Sequence, residues 1–228
     1  RVDQICKTAF KNKVSVFIDA EDSWYQDYID SLAEFMIFKY NNESTIVYNT
    51  IQLYRHDRFH YMKGLISRCS SNNKFLGLKL VRGAYMEKER ERAAKKNYKD
   101  PIQKDKESTD YDFSLAVEYC LKKIDFVSLC IGTHNEKSVL HLINLMSDYS
   151  LRKNDSRIYF AQLLGMSDHI SYNLSKQGYN VAKYVPYGPI YEVVPYLIRR
   201  AEENTSVSGQ TGRELSLIKK EIKNRNSV

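Results

Sequence analysis

The stretch "LGLKLVRGAYMEKERERAAKKNYKDP", residues 76–101, decides the fold. Its first six residues, 76–81, form an apolar run of strand length. A long segment rich in helix formers follows, "MEKERERAAKKNYKD", and Pro101 ends it. One strand followed by one helix is a βα unit, and the same unit recurs on both sides. Upstream, "VSVFID" (14–19) is a β-branched run followed by a helix with Trp24, Tyr28, Leu32, Phe35, Met36 and Lys39 at spacings of one helical turn. "TIVYNTIQ" (45–52) is the next strand, and "HYMKGLISRC" (60–69) belongs to the next helix. Downstream, a helix near 110–123 leads to "FVSLCIG" (126–132), then helical "SVLHLINLM" (138–146) and the strand "RIYFAQLL" (157–164). A helix ending at Gly178, the strand "NVAKYV" (180–185) and helices near 190–203 and 213–224 complete the chain.

Six apolar strands, each followed by a helix, predict an α/β fold with a parallel sheet. The Gly-rich dinucleotide loop of an open doubly wound sheet is absent. The pattern therefore predicts a (β/α)8 TIM-type barrel. Six strands cannot close it, so the first two strands are expected upstream of Arg1. On this reading residues 1–228 form the C-terminal three quarters of one barrel domain, with no second domain.

The 228 residues are 43% hydrophobic and 28% charged, ordinary values for a folded domain with a substantial core. No run of 18 uncharged apolar residues occurs, which excludes a spanning helix. The net charge of +7 permits an anionic partner, but the basic residues are spread along the chain and no nucleic-acid motif is present, so no nucleic acid is expected. Cys6, Cys69, Cys120 and Cys130 have no C-x-x-C spacing and no nearby histidine pair. No metal site is expected, and reduced thiols suggest an intracellular protein.

In such a barrel chemistry sits at the C-terminal ends of the strands. The six ends carry Asp19; Gln52 and Tyr54; Lys79, Arg82 and Tyr85; Thr133, His134 and Asn135; Gln162; and Tyr184. Each has an ordinary structural reading. Asp19 could cap the next helix, His134 could be a satisfied core histidine, the glutamines could serve backbone groups, and the tyrosines could pack. Six such ends together exceed what a bare scaffold needs. Past the last strand, "YLIRRAEEN" (196–204) sets Arg199 and Arg200 beside Glu202 and Glu203. That is either a solvated helix face or a pair of guanidinium forks able to grip a small carboxylate.

At this point the sequence resembles a known family. "IDAED", "YNTIQLY", "KLVRGAYMEKERERA", "THNE", "FAQLLGM", "YVPYGP" and "YLIRRAEEN" occur in the order found in proline dehydrogenases, including the proline dehydrogenase domain of bifunctional proline-utilisation proteins. "KLVRGAY" together with "YLIRRAEEN" is the specific combination. The resemblance implies an FAD-dependent barrel that oxidises L-proline to Δ1-pyrroline-5-carboxylate by hydride transfer from C5 to flavin N5, the first step of proline catabolism. It implies that Arg199 and Arg200 hold the substrate carboxylate, with Glu203 as an ion-pair partner. Tyr85 and Tyr184 would pack on the pyrrolidine ring. Asp19 would organise the cationic groups, and Lys79, where many bacterial members have Arg, would tune the flavin. Ala20, Gln52, Lys79, Arg82, Gly83, Ala84, Thr133 and His134 would contact FAD. The family's substrate lysine would precede Arg1.

The resemblance further implies electron transfer to a membrane quinone. The enzyme would then be cytoplasmic and peripheral to the inner face of a bacterial membrane, or at the mitochondrial inner membrane in a eukaryote. "RELSLIKKEIKNR" (213–225) fits a peripheral contact, with Leu215, Ile218 and Ile222 on one face and Lys219, Lys220, Lys223 and Arg225 elsewhere. An aromatic at Tyr85 favours proline over 4-hydroxyproline. The competing reading is a non-catalytic or differently specific flavin-binding barrel, for instance one oxidising hydroxyproline.

Overall fold

The computed structural model describes residues 1–206 and 210–225, and the side chains of 199–206, 210–214 and 217 lie outside the described residues. Helix α1 (Val2–Asn12) comes first, then β1 (Val16–Ile18), α2 (Ser23–Tyr40), β2 (Val47–Gln52), α3 (Arg58–Ser71) and β3 (Leu76–Val81). Helices α4 (Met86–Lys96) and α5 (Lys106–Leu121) follow, then β4 (Val127–Gly132), α6 (Glu136–Asp148), β5 (Ile158–Leu163), α7 (Asp168–Lys176) and β6 (Val181–Tyr184). Helices α8 (Ile190–Ser206) and α9 (Gln210–Arg225) end the described chain. Among the described residues the six strands form one sheet in the order β1-β2-β3-β4-β5-β6, and every pair is parallel. That is the expected α/β architecture with each strand beside its successor.

Strand alternation divides the sheet into two unlike faces. One carries Val47, Ile51, Leu78, Leu80, Leu129, Ile131 and Phe160, all fully buried. These pack against the helices in a single core with Met62, Leu65, Phe113, Val117 and Leu142. On the opposite face the register lines up Phe17, Tyr48, Gly77 and Ser128, and one layer higher Thr50, Lys79, Cys130 and Tyr159. The aliphatic face holds the fold together, and the polar and aromatic face is left for a site. Burial is uneven across the sheet: β2 is buried at every position, whereas β1 and β6 are half exposed.

Of the apolar spacing that marks α2 as a helix, Met36 is buried but much of the rest is not. Tyr28 is 78% exposed and Phe35 61% exposed, whereas the inner side carries Gln26, Asp30, Ala33, Met36, Ile37 and Tyr40. Asp30 is tolerated there because it is fully paired. Arg58 Nη2 lies 2.7 Å from Asp30 Oδ2, and Asn49 Nδ2 and Gln26 Nε2 donate to Oδ1 at 2.9 and 3.0 Å. The Arg58 guanidinium also stacks 4.1 Å over Tyr61. This network links α2, β2 and α3. Helix α1 is not anticipated by the sequence reading; it turns Cys6 and Ala9 inward, with Val2 packed on the core, while Ile5 and Phe10 remain exposed.

Candidate active site

The strand ends of the polar face converge on Lys79. Its register partners are Thr50 on β2 and Cys130 on β4. Lys79 Nζ lies 2.5 Å from Asp19 Oδ1, which also accepts from Thr50 Oγ1 at 3.3 Å. The ammonium stands 5.6 Å from the centre of the Phe17 ring and 5.8 Å from that of Tyr184, within cation–π range of both. Asp19 therefore does not cap α2. The N-cap position is Asp22, and the Asp19 carboxylate is spent on Lys79 instead. Tyr184 in turn packs on Tyr196 of α8, ring centres 5.7 Å apart. Burial pushes the Cys130 thiol up to about 12 despite the nearby Lys79 cation, so it is a neutral wall rather than a nucleophile.

The second group of candidates forms a polar layer above β3 and β4. Arg82 donates from Nε to Asp110 at 2.6 Å, from Nη1 to Thr133 Oγ1 at 3.0 Å and from Nη2 to Ser138 Oγ at 2.9 Å. Its guanidinium rests 4.5 Å from the centre of the Phe113 ring. Burial works against ionisation of Asp110, but hydrogen bonds from Lys106 and Arg82 outweigh it and hold the carboxyl below its ordinary range. Thr133 Oγ1 also accepts from Asn135 N, and Asn135 caps α6 by accepting from Ser138 N. His134 Nδ1 lies 3.0 Å from Ser167 Oγ. Gly83 follows Arg82 with φ 143°, and a Cβ there would meet the Tyr54 ring at 2.3 Å. Only glycine fits that turn. Tyr85 OH donates to Glu21 at 2.9 Å, bringing the loop after Ala20 against the turn of Gly83 and Ala84.

Gln162 belongs elsewhere. Its Nε2 donates to the Thr133 carbonyl and its Oε1 accepts from Ser171 of α7, so it lies on the helix side and serves the scaffold. The side chains of Arg199, Arg200 and Glu203 lie outside the described residues; their backbone belongs to α8. Sequence reasoning missed Phe17, Thr50, Cys130 and Glu21. The period-2 alternation through Lys79 could have found the first three, because they share its face.

A flat, anionic, polar-edged cofactor fits this face. Gln52 is 3% exposed, yet its Oε1 has no hydrogen-bond partner among the described residues. A buried amide oxygen aimed at nothing costs about 1–3 kcal/mol unless a ligand donor reaches it. At Gly132, on the same face, a Cβ would come within 3.0 Å of Val81 and 3.6 Å of Lys79 Cε, so the floor is kept flat. Lys79 supplies the cation such a group requires on this face, while Arg82 is committed to Asp110, Thr133 and Ser138 beside α5 and α6.

The comparisons with known proteins agree with one another. The proline dehydrogenase family matches residues 1–213. Proline dehydrogenase 1, mitochondrial, of Drosophila melanogaster is 36% identical over 235 residues, covering 99% of this chain and 34% of the relative. A hydroxyproline dehydrogenase of Xenopus laevis is 37% identical over 232 residues, covering 99% of this chain and 49% of the relative. The chain thus spans between a third and a half of the length of these relatives. Among solved structures, proline utilization A from Bdellovibrio bacteriovorus inactivated by N-propargylglycine superposes with a TM-score of 0.85 at 23% identity, over 91% of this chain and 22% of that one. With a family match over most of its length and relatives above a third identical, the chain belongs to the proline dehydrogenase family.

Proposed function

We propose that the chain is the catalytic part of an FAD-dependent oxidase of L-proline, yielding Δ1-pyrroline-5-carboxylate in the first step of proline catabolism. The observation that carries this reading is the Lys79–Asp19 pair on the floor of the polar face, flanked by the Phe17 and Tyr184 rings. Bound against that floor, the flavin supplies the two-electron acceptor for a hydride leaving C5 of the substrate. Gln52, Lys79, Arg82, Ala20, Gly83, Ala84, Thr133 and His134 would hold it. Lys79 provides a fixed positive charge whose position is set by Asp19 and Thr50, so no reorganisation is needed as negative charge builds up near it. Arg199 and Arg200, with Glu203, grip the substrate carboxylate, while Tyr85 and Tyr184 sandwich its ring. A small substrate held at both its carboxylate and its ring would lose the freedom to tumble and would present C5 in one orientation. The substrate nitrogen loses its proton as C5 is oxidised, leaving an imine.

The six strands supply an arc of a (β/α)8 barrel. Two more strands, joining β6 back to β1, would close it around the site as one barrel domain that includes residues 1–228. The exposed Leu215, Ile218 and Ile222 of α9, together with its lysines, support peripheral contact with an anionic membrane that carries the quinone acceptor. Among the described residues no helix is long and apolar enough to cross a membrane.

The test is the anaerobic visible spectrum of the full-length protein with and without L-proline. Flavin bands bleached by proline, with Arg199→Ala and Arg200→Ala keeping the bands but not the response at ordinary substrate levels, support the reading. Absence of flavin from the folded protein overturns it. A second reading, oxidation of 4-hydroxyproline, is favoured by the Xenopus relative's name. Tyr85, tied to Glu21, crowds the ring and argues for proline. Faster bleaching by 4-hydroxyproline than by proline would reverse that choice.

A further inference from the structure

Strands β1 and β3 are not neighbours, yet the segments that follow them are bound together above the end of β2. Three consecutive residues after β1 each find a partner in or just before α4. Glu21 accepts from Tyr85 OH at 2.9 Å, and Asp22 pairs with Lys88 at 2.8 Å. Ser23 donates twice to Glu89, from its backbone N to Oε1 and from its Oγ to Oε2, both at 2.6 Å. The first two contacts are half in solvent and contribute little by themselves. Glu89 differs from them because it is fully buried.

A buried carboxylate costs several kcal/mol unless its surroundings supply hydrogen bonds and positive potential. Here both come from α2. Ser23 is the first residue of that helix, and the Asp22 side chain makes no capping bond, so Glu89 takes the cap's place from another element. The aromatic floor beneath it is also fixed. Tyr54 lies under Gly83, so the turn carrying Tyr85 has no room to shift. The Trp24 ring is covered by Lys88 at 5.2 Å and Arg92 at 4.0 Å, closing the outer side.

We propose that Glu89 is a positioning residue for substrate. By tying the start of α2 to the start of α4, it fixes the distance across the site between Asp19, four residues before Ser23, and Tyr85, four residues before Glu89. Glu89 touches neither substrate nor cofactor. It acts on binding, through the two side chains whose backbones it couples. The proposal rests on the proline-oxidising reading, and the control separates the two: if the unaltered full-length holoenzyme does not bleach with L-proline, that reading fails first.

The experiment measures KM and kcat for L-proline in the full-length holoenzyme, and Kd for a five-membered-ring carboxylate that cannot be oxidised, alongside flavin content. Glu89→Ala is expected to raise KM and Kd by about 10-fold, with kcat in the flavin-loaded fraction within about threefold of the unaltered enzyme. Glu89→Gln, which still accepts from Ser23 N, restores both to within about twofold. Ser23→Ala, which removes only the hydroxyl arm, raises both about threefold and decides the matter if Glu89→Ala does not accumulate. Unchanged KM and Kd in folded, flavin-loaded Glu89→Ala overturn the proposal, as does a Ser23→Ala enzyme whose only change is a lower Tm.

Discussion

Lys79 stands where Asp19, Phe17, Thr50 and Tyr184 meet, so its replacement separates charge from shape. Lys79→Met keeps the stem and removes the cation. We expect anaerobic bleaching of the flavin by proline to slow by about 10²-fold, the usual effect of deleting one preorganised electrostatic group. Lys79→Arg should lose less than about tenfold, because the charge survives and Asp19 can still pair with it. Stopped-flow absorbance distinguishes the two. Gly83 poses the opposite problem, since it contributes nothing but room. Gly83→Ala puts a methyl 2.3 Å from the Tyr54 ring at φ 143° and should cost about 1–3 kcal/mol in urea unfolding. At this scale the strand-end residues were legible, because alternation and barrel chemistry both point to them. Glu21 and Glu89 were not. Their partners lie 64 and 66 residues away, and no local pattern records which of several glutamates is buried.

Between elements, buried polar contacts specify which helix lies where. The Asp30–Arg58 pair, with side chains 6% and 3% exposed, joins α2 to α3 beneath β2. Arg58→Met leaves the Asp30 carboxylate without its cation and should destabilise by about 3–5 kcal/mol in urea titration. A double replacement that also makes Asp30 apolar should recover much of that loss. A pH-dependent link lies before β5. Hydrogen bonds from Arg157 side chain and backbone hold the Asp155 carboxyl below its ordinary range. A carboxyl depressed in the folded state stabilises fully above its unfolded value and loses that contribution as pH falls through the folded one. The urea midpoint should therefore drop below about pH 4, and Asp155→Asn should flatten that part of the profile. Element order was legible from the alternation of runs. The inward face of α2 was not, because Tyr28, Leu32 and Phe35 of its apolar spacing point outward while a paired Asp30 points in.

Over the whole molecule, the βα repeat predicts a parallel sheet with right-handed crossovers, and the missing Gly-rich loop tips the order toward strands laid down in sequence. What the repeat does not encode is how rigid each strand is, since that depends on neighbours on both sides. Lys79 lies on β3, whose flanking strands β2 and β4 are almost wholly buried; Asp19 and Tyr184 stand at the ends of β1 and β6, the half-exposed outer strands of the described sheet. Residues 1–228 on their own therefore carry a firm centre and two softer margins, and the two strands that would close the barrel would brace both margins at once. In deuterium exchange of residues 1–228 alone, amides of β2–β4 should be the last to label and those of β1 and β6 among the first, whereas in the closed barrel β1 and β6 should be protected as well. Barrel closure would then be felt as a tightening of β1 and β6, and the strength with which substrate is held would depend on how much motion those two strands give up.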